Sequence, residues 1–370
     1  MTGTDRRSSR LLRLLAVLVA FAMLGAACGG GGDDTASDAG SDDAPGTDGE
    51  PELTATLNGS GATFPQAFYE EVIGAYNEIQ PGVVVNYPGG GSGKGRQELQ
   101  DQVVDFAGSD GLVKDEDRPK FKGEFVYVPT ITAPITISYN LPDVKELSLD
   151  ADTIAKIFQR QIKTWDDPAI KALNTSAKLP STAITIAHRS DGSGTTENFT
   201  KFLVAAAPST WTLKSGSTVE WPTGEGVSAG NGNSGVASIV KDVVGGIGYV
   251  DLSDSRASSL QQAKVKNAAG KFVAPTIEAT SAALEGATIN ADLSYNPLNA
   301  PGEKAYPIAA PTWILVYKNQ TDEAKADAIK SFLKFLLTDG QDLAEDVDYA
   351  PLPKALRDKS LAQLDLIVSA

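Results

Sequence analysis

Cysteine, histidine and methionine are scarce: the sequence has one cysteine, one histidine and two methionines among 370 residues. An intramolecular disulfide needs two cysteines and is therefore excluded. A metal site built from several histidine or cysteine ligands is excluded as well, which leaves only a site of carboxylate oxygens open. We expect no metal and no cofactor.

Positive charge is also in short supply, with 32 Lys plus Arg against 47 Asp plus Glu and a formal net charge of -15. Proteins that bind nucleic acid draw most of their affinity from basic patches, so nucleic acid is not an expected partner. Electrostatic attachment to an anionic membrane is disfavoured for the same reason. Because salt screens distant charge within ~8 Å, the acidic chain must bind any anion through local donors.

The one long apolar run lies at the N-terminus, where residues 14–27 follow a segment with four arginines between positions 6 and 13. This pattern predicts a signal segment over residues 1–28, since the apolar run is too short for a membrane span. The run ends in Leu24-Gly25-Ala26-Ala27-Cys28, which resembles a lipoprotein processing site, although Gly25 stands where a large apolar residue is usual. Cys28 is therefore predicted to carry lipid. An ordinary cleaved signal with a spare cysteine is the alternative.

Residues 29–52 contain Gly, Asp, Ser, Thr, Ala, Pro and Glu but no Lys or Arg. Such a segment cannot bury enough apolar surface to offset the entropy of ordering it. We predict a disordered acidic tether here, with the folded part beginning at residue 53.

The folded part opens with repeated alternation of predicted strands and polar or glycine-rich turns. A strand over 53–58 meets a helix through a turn at 59–65, and strands over 83–87 and 103–110 also end in polar turns. We interpret these as three strand-to-helix turns of an open α/β sheet. In such sheets, ligands bind outside the carboxyl ends of the strands.

Two glycine-rich runs have the composition of nucleotide-binding loops without the required context. In residues 89–96, the P-loop spacing fails because Pro88 holds the first glycine position and Gly95 replaces the Ser or Thr that would bind magnesium. Residues 230–235 match G-x-G-x-x-G, but we predict no strand before them. This second run is interpreted as a turn that leads into a helix over 236–240.

Residues 187–196 hold the strongest candidate site. Alternating residues over 182–187 predict a strand, and the helical spacing of later apolar residues predicts a helix that begins near Ser193. The unpaired N–H groups and the dipole of that helix favour an anion. Arg189 adds a guanidinium fork, and Ser193 and Thr195 add hydroxyl donors. The alternative is a capped helix with a solvated Arg189.

Six motifs occur in an order that resembles one family. They are residues 59–65 (Gly-Ser-Gly-Ala-Thr-Phe-Pro), 105–110 (Asp-Phe-Ala-Gly-Ser-Asp), 164–167 (Thr-Trp-Asp-Asp), 189–195 (Arg-Ser-Asp-Gly-Ser-Gly-Thr), 246–249 (Gly-Ile-Gly-Tyr) and 348–353 (Asp-Tyr-Ala-Pro-Leu-Pro). Together they resemble the phosphate-binding proteins of Pst-type ABC phosphate importers. The resemblance implies an α/β, two-lobe periplasmic-binding-protein-like fold with two interlobe crossovers and a central ligand cleft.

The resemblance also implies a domain plan, a site and partners. Lobe I would comprise residues 53–132 and a return segment 308–370, with lobe II at 133–307 between them. The implied partners are inorganic phosphate and the subunits of an ABC-transporter permease, for a monomer anchored by lipid on Cys28 at the outer face of the cytoplasmic membrane. The implied phosphate contacts are Thr63, the Phe64 amide, Ser92, Asp110, Arg189, Ser193, Gly194 and Thr195, and Asp191 would orient Arg189.

Two other functions remain open at this stage. A phosphoesterase would need a nucleophile paired with a base, and Ser193 is close in sequence to His188, although no G-x-S-x-G elbow surrounds it. We interpret His188 as scaffold and residues 165–167 (Trp-Asp-Asp) as a helix-capping turn. A sulfate-binding protein is the second alternative. An ionised Asp110 argues against it, because a carboxylate accepts a hydrogen bond from phosphate but repels a fully ionised anion.

Overall fold

The computed structural model describes residues 52–369. The predicted signal segment, Cys28 and all of the predicted tether except Glu52 lie outside this range, so those predictions stay as stated. Within residues 52–369, no helix combines the length and apolar character needed to cross a membrane.

Strands and helices alternate along most of this range, as expected for an α/β protein. The strands are β1 Ala55–Gly61, β2 Val83–Asn86, β3 Phe106–Ser109, β4 Phe125–Tyr139, β5 Ser148–Leu149, β6 Thr185–Arg189, β7 Val227–Gly230, β8 Gly246–Asp251, β9 Gln261–Gln262, β10 Lys264–Lys266, β11 Phe272–Val273, β12 Ala309–Tyr317, β13 Asn319–Gln320 and β14 Val368–Ser369.

The helices are α1 Gln66–Ile79, α2 Ser92–Gln100, α3 Ala151–Phe158, α4 Pro168–Leu173, α5 Gly194–Ala206, α6 Gly232–Asp242, α7 Leu252–Ala257, α8 Ile277–Glu285, α9 Glu323–Leu337 and α10 Lys354–Gln363. Short 3-10 helices cover Arg118–Lys120, Asp339–Leu343, Glu345–Val347 and Leu364–Leu366.

One large sheet runs through the molecule in the order β2-β1-β3-β12-β4-β8-β6-β7, with β9 paired to β4. Strands β1, β2 and β3 are parallel, and so are β6, β7 and β8. Strand β12 is antiparallel to β3 and to β4. We call the part around β1–β3 and β12 the first lobe and the part around β6–β8 the second lobe.

Strand β4 connects the two lobes because it changes its pairing partner half-way along. Its residues up to Pro134 pair with β12, and Ile135 to Tyr139 pair with β8. Proline has no N–H to donate to a sheet, and it is usually confined to edges, strand starts and bulges. Pro134 lies where the partner changes, and Pro129 lies at a bulge opposite Thr312 and Trp313. Both prolines therefore sit where regular pairing is interrupted.

A second crossing returns the chain to the first lobe. The N–H of Ile135 donates to the carbonyl of Ile308 at 2.9 Å, directly before β12 begins. Helix α9 then packs on β1, with Ile329, Phe332 and Leu333 buried. Its N-cap is Asp322, whose side chain accepts from the N–H of Lys325.

Most local predictions agree with these elements, but three were wrong. Residues 232–235 belong to helix α6, Gly232–Asp242, and not to the turn predicted before residue 236. Strand β3 is followed by a loop and the 3-10 helix Arg118–Lys120, so the third turn is not a strand-to-helix turn of the predicted kind. Strand β7 directly precedes the 230–235 run, contrary to the expectation of a loop there. β7 reads Val-Ser-Ala-Gly, and such small residues give a weak strand signal.

Candidate anion-binding site

The carboxyl ends of strands from both lobes meet at one place, and the predicted site residues lie there. Thr63 lies in the turn after β1, and Asp110 directly follows β3. Arg189 is the last residue of β6. Within each lobe, parallel strands end on the same side. Hydrogen bonds from the N–H of Gly194 to Ser92 Oγ and from the N–H of Asn233 to Thr63 Oγ1 join the two sets of strand ends at one cleft.

Arg189 is the centre of the second lobe's half of the site, with only 1% of its side chain exposed. Its Nε donates to Asp191 Oδ1 at 2.7 Å and its Nη2 to Asp191 Oδ2. Its Nη1 donates to Asn233 Oδ1 at 2.8 Å and lies 3.4 Å from Thr195 Oγ1. Asp191 thus occupies the Nε–Nη2 edge, and a two-pronged contact with an anion has to use the Nη1–Nη2 edge.

Helix α5 begins at this site. Ser193 is its N-cap, and the Ser193 Oγ accepts from the N–H of Thr196 at 3.0 Å. This confirms the helix start predicted near Ser193. Gly194 and Thr195 form the first turn and are buried, so their backbone N–H groups and the helix dipole provide the electropositive end that an anion prefers.

The Ser92 hydroxyl makes three hydrogen bonds, and together these connect the two lobes. Its Oγ accepts from the N–H of Asp110 and from the N–H of Gly194, both at 3.2 Å. The same hydroxyl donates to Asp110 Oδ2 at 3.3 Å. Ser92 is the first residue of α2, so its position depends on the glycine-rich run before that helix.

Thr63 and Phe64 complete the predicted set from the first lobe. Thr63 Oγ1 accepts from the N–H of Asn233 at 3.2 Å, which is a second bond between the lobes. Phe64 is fully buried, and its carbonyl accepts from Tyr349 Oη at 2.7 Å. The return segment that carries Tyr349 therefore fixes the backbone next to Thr63.

The two lobes approach so closely at the cleft that side chains are excluded at some positions. A Cβ on Gly91, whose φ is +94°, would lie 2.3 Å from Asp191 Oδ2 and 2.8 Å from the carbonyl oxygen of Gly192. The N–H of Gly93 donates to that carbonyl at 2.8 Å. The glycine-rich run 89–96 therefore lets the two lobes approach closely and leads into α2. This agrees with the interpretation that the run is not a P-loop.

The site contains two carboxyl groups whose pKa values are shifted in opposite directions. Burial would raise the pKa of Asp191, but hydrogen bonds from Arg189 and the charge of its guanidinium hold it below the ordinary value. Burial raises the pKa of Asp110 to about 7, although Thr312, Arg189 and Ser92 each act to lower it. The expectation of a fully ionised Asp110 was therefore wrong for neutral pH, where its carboxyl is partly protonated.

The arrangement suits the static binding of a small tetrahedral anion. Donors come from one guanidinium, several hydroxyls and a helix N-terminus, and Asp110 provides an acceptor. Over residues 52–369, no group of three or more His, Cys, Asp and Glu side chains could hold a metal ion. The structure brings Thr63, Ser92, Asp110, Arg189, Gly194 and Thr195 together, with Phe64 and Ser193 next to them in the chain. The role of these residues in binding phosphate stays a prediction.

Comparison with known proteins gives consistent matches over most of the chain. A family model described as a PBP superfamily domain matches residues 46–340. The phosphate-binding protein PstS of Pasteurella multocida is 35% identical over 314 residues, which cover 83% of this chain and 89% of the relative. The phosphate-binding protein PstS of Methanocaldococcus jannaschii is 38% identical over 312 residues, or 78% and 80% of the two chains. The chain belongs to the PstS family of phosphate-binding proteins.

Solved structures of phosphate-binding proteins have the same fold as this PstS-family chain. The structure of PfluDING, a high-affinity periplasmic phosphate-binding protein bound with phosphate, aligns with a TM-score of 0.70. The alignment has 23% sequence identity and covers 84% of this chain and 94% of PfluDING. This likeness confirms the predicted two-lobe periplasmic-binding-protein-like architecture.

Several residues of the site in this PstS-family member were not predicted from the sequence. Asn198 Nδ2 donates to the Asp110 carbonyl at 2.6 Å and to the Gly194 carbonyl at 3.0 Å, so it ties α5 to the first lobe. Thr312 Oγ1 donates to Asp110 Oδ1 at 2.8 Å. Arg96 Nη1 donates to Ser109 Oγ at 2.7 Å. Asn198 and Thr312 lie outside the motifs identified in the sequence, and Arg96 ends the glycine-rich run 89–96 without having been predicted to act in the site.

The interpretation of His188 as scaffold agrees with its contacts. Its Nδ1 lies 3.0 Å from the Arg189 carbonyl, and its ring stacks on Trp221 with centroids 5.2 Å apart. The predicted capping turn at residues 165–167 is confirmed as well, because Asp167 caps α4 and accepts from the N–H of Ala169.

Gly194→Ala tests whether closure of the lobes is needed for binding. The new Cβ would lie 2.5 Å from Ser92 Oγ and 2.6 Å from Asp110 Cβ, both across the cleft. We expect phosphate affinity to fall by roughly 1–3 kcal/mol, the usual cost of overpacking. Isothermal titration measures this. Gly74→Ala is the matched control, because its Cβ meets nothing within 4 Å. Equal phosphate affinities in Gly194→Ala and Gly74→Ala would contradict the idea that binding needs the lobes to close.

The buried carboxyl of Asp110 should make stability depend on pH. Its pKa is about 7 in the folded chain against 3.8 for an unperturbed aspartate, so the folded state binds the proton more tightly. Between these pH values the native state holds more protons than the unfolded state, and stability therefore falls as pH rises. Relative to Asp110→Asn, the wild type should lose up to about 4 kcal/mol between pH 4 and pH 8. Urea unfolding of both proteins without phosphate, measured across this pH range, tests this. If the free energy of unfolding changed with pH in the same way in the wild type and in Asp110→Asn, the prediction would be contradicted.

Proposed function

We propose that this chain binds inorganic phosphate outside the cytoplasm and delivers it to an ABC-transporter permease. The observation that supports this most directly is the cleft in which Arg189, the N-terminus of α5, Ser92 and Asp110 converge. The named relatives are phosphate-binding proteins of the same family. The donors suit a phosphate's ionised oxygens, and Asp110 suits an oxygen that retains a proton.

The proposed phosphate contacts are the hydroxyls of Thr63, Ser92, Ser193 and Thr195, the amides of Phe64 and Gly194, the Arg189 guanidinium and the Asp110 carboxyl. Asp191 orients Arg189 through two hydrogen bonds. The proposed lobes are 53–132 with 308–370, and 133–307. The change of partner along β4 at Pro134 and Ile135 supports these boundaries.

The chain is proposed to act as a monomeric binding protein without catalytic activity. Ser193 Oγ accepts a hydrogen bond from the helix N–H of Thr196, and His188 faces the Arg189 carbonyl and Trp221. A nucleophilic serine needs a base within about 2.6–3.2 Å, and the contacts of these two side chains serve the helix cap and the scaffold instead.

Titration of the full chain in detergent with phosphate, sulfate and a phosphate monoester tests the proposed function. Bound phosphate is first removed by unfolding, dialysis and refolding. Tight binding of phosphate at one site per chain, with weak sulfate binding and no turnover of the monoester, is the expected result. Hydrolysis of the monoester would support a phosphoesterase, and tighter binding of sulfate would change the assigned ligand.

The location is proposed to be the outer face of the cytoplasmic membrane, with lipid on Cys28. Cys28→Ala should abolish the lipid and either release the chain into the medium or leave its precursor at the membrane. Metabolic labelling with a fatty acid, followed by cell fractionation, provides the measurement. Labelling of the variant at the wild-type level would contradict this assignment.

A further inference from the structure

A line of buried polar groups extends from Arg189 away from the cleft. Arg189 Nη1 donates to Asn233 Oδ1 at 2.8 Å, and Asn233 Nδ2 donates to Asp251 Oδ2, also at 2.8 Å. Asn233 and Asp251 are both fully buried. Asn233 lies in the first turn of α6, and Asp251 ends β8 and caps α7 by accepting from the N–H of Asp254.

Asp251 forms a close pair with a second carboxyl group. Asp251 Oδ1 accepts from the backbone N–H of Asp254 at 3.0 Å, and the side chain of Asp254 is near enough for the two carboxyl groups to affect each other's pKa. Burial and the charge of Asp254 raise the pKa of Asp251, which favours its protonated form. Tyr349 Oη faces the pair from the return segment, 3.5 Å from Asp251 Oδ1. The charges of Arg189 and Glu70 also act on Asp254.

This arrangement determines which end of the Asn233 amide faces Arg189. An amide presents an oxygen at one end and N–H donors at the other, and the wrong orientation would point a donor at the guanidinium. Asp251 accepts from the Asn233 amide nitrogen and so leaves the amide oxygen toward Arg189. Arg189 thereby gains a third acceptor that is neutral. A carboxylate in that place would add a negative charge next to the anion.

We propose that Asn233 and Asp251 are positioning residues for anion binding: Asp251 orients the Asn233 amide, and this amide holds the Arg189 guanidinium in its ligand-facing orientation. This inference rests on the proposed phosphate-binding function. Asn233 also donates through its backbone N–H to Thr63 Oγ1 at 3.2 Å, so the same residue contacts the first lobe's half of the site.

Four single variants separate positioning from a general structural role. Asn233→Leu removes both ends of the amide. Asp251→Ser keeps a hydroxyl that can cap α7 but is too short to reach Asn233. Asp251→Asn keeps an oxygen that can accept from the Asn233 amide nitrogen, as Asp251 does. Asn267→Leu is the control, because Asn267 is a buried amide of the second lobe that holds the carbonyls of Gly302, Glu303 and Ala305.

Phosphate titration and thermal unfolding are measured for the full chain, the four variants and the double variant Asn233→Leu/Asp251→Ser. We expect Asn233→Leu and Asp251→Ser each to weaken phosphate binding about 10- to 100-fold, the effect of a lost hydrogen bond to a charged group. The double variant should bind no more weakly than Asn233→Leu alone, because both residues act through one contact. Asp251→Asn should restore most of the affinity. Asn267→Leu should lower the melting temperature without this loss.

Three results would overturn the inference while the wild type still binds phosphate. They are wild-type affinity in Asp251→Ser, additive losses in the double variant, and an equal loss of affinity in Asn267→Leu. Failure of the wild type to bind phosphate would instead count against the proposed function, so the two failures are distinguishable.

Discussion

Replacing Arg189 with lysine is expected to weaken phosphate binding by roughly 1.5–3 kcal/mol, or about 10- to 100-fold. Lysine keeps the charge but has no planar fork. Arg189 makes two bonds to Asp191 and one to Asn233, and one ammonium group cannot replace all of these while also facing an anion. The loss should be near the upper end, since the partly buried carboxylate of Asp191 would be less well paired.

Calorimetric titration of both proteins with phosphate provides the measurement. Arg160→Lys is a matched control in the second lobe, because Arg160 Nη1 donates to the Ile184 carbonyl at 2.6 Å and its Nη2 to the Glu225 carbonyl at 3.2 Å. The control variant should lose stability and keep its affinity. Wild-type affinity in Arg189→Lys would place Arg189 outside the site.

Local sequence was enough to predict the parts of the site that lie within one loop. The 187–196 stretch follows a strand, ends in a glycine-rich turn and opens α5, and each of these steps has a short-range signal. Asp191 and Arg189 are two positions apart, so their pairing depends on one turn. The resemblance to the family then linked this loop to Thr63, Ser92 and Asp110.

Contacts between distant parts of the chain could not be predicted in this way. Asn233 is separated by 44 residues from Arg189, and Thr312 by 202 residues from Asp110. The side chains of Asn233 and Arg189 meet only once the second lobe has folded, and those of Thr312 and Asp110 meet only once the return segment has docked on the first lobe. Asn233 was also not predicted as a site residue, because β7 before it is short and made of small residues. Without a predicted strand before it, the 230–235 run was not interpreted as a ligand-binding loop.

The protonation of Asp110 is a further property that depends on the folded state. The sequence shows a carboxyl at the end of a strand, and an exposed carboxyl there would be ionised at neutral pH. Its exposed fraction of 2% and the resulting desolvation move its pKa to about 7. The discrimination between anions that the sequence suggested for Asp110 must therefore depend on pH.

Asp110→Asn is expected to reduce the preference for phosphate over sulfate by at least about 100-fold at pH 8, where the wild-type carboxyl is mostly ionised. Asp110 lies next to Ser92 and accepts from Thr312 Oγ1 at 2.8 Å, so its carboxylate faces the cleft as an acceptor. Phosphate retains a P–O–H that donates to such a group, whereas sulfate has no proton to give. Sites built around a donor that the analogue lacks commonly reject that analogue by ~10⁴–10⁵-fold.

The amide of the Asp110→Asn variant both donates and accepts, so it can serve sulfate while phosphate keeps a partner. The wild type should approach the variant as the pH falls below the Asp110 pKa of about 7, because a protonated carboxyl also donates. Side-by-side titrations with both anions at pH 8 and pH 5.5 measure the ratio of affinities. A wild-type ratio that is the same at both pH values, together with an unchanged ratio in the variant, would show that selectivity arises elsewhere. The expected result is a phosphate-to-sulfate affinity ratio that is lowered in the variant already at pH 8 and in the wild type only at pH 5.5. This result would show that selectivity depends on whether Asp110 carries a proton.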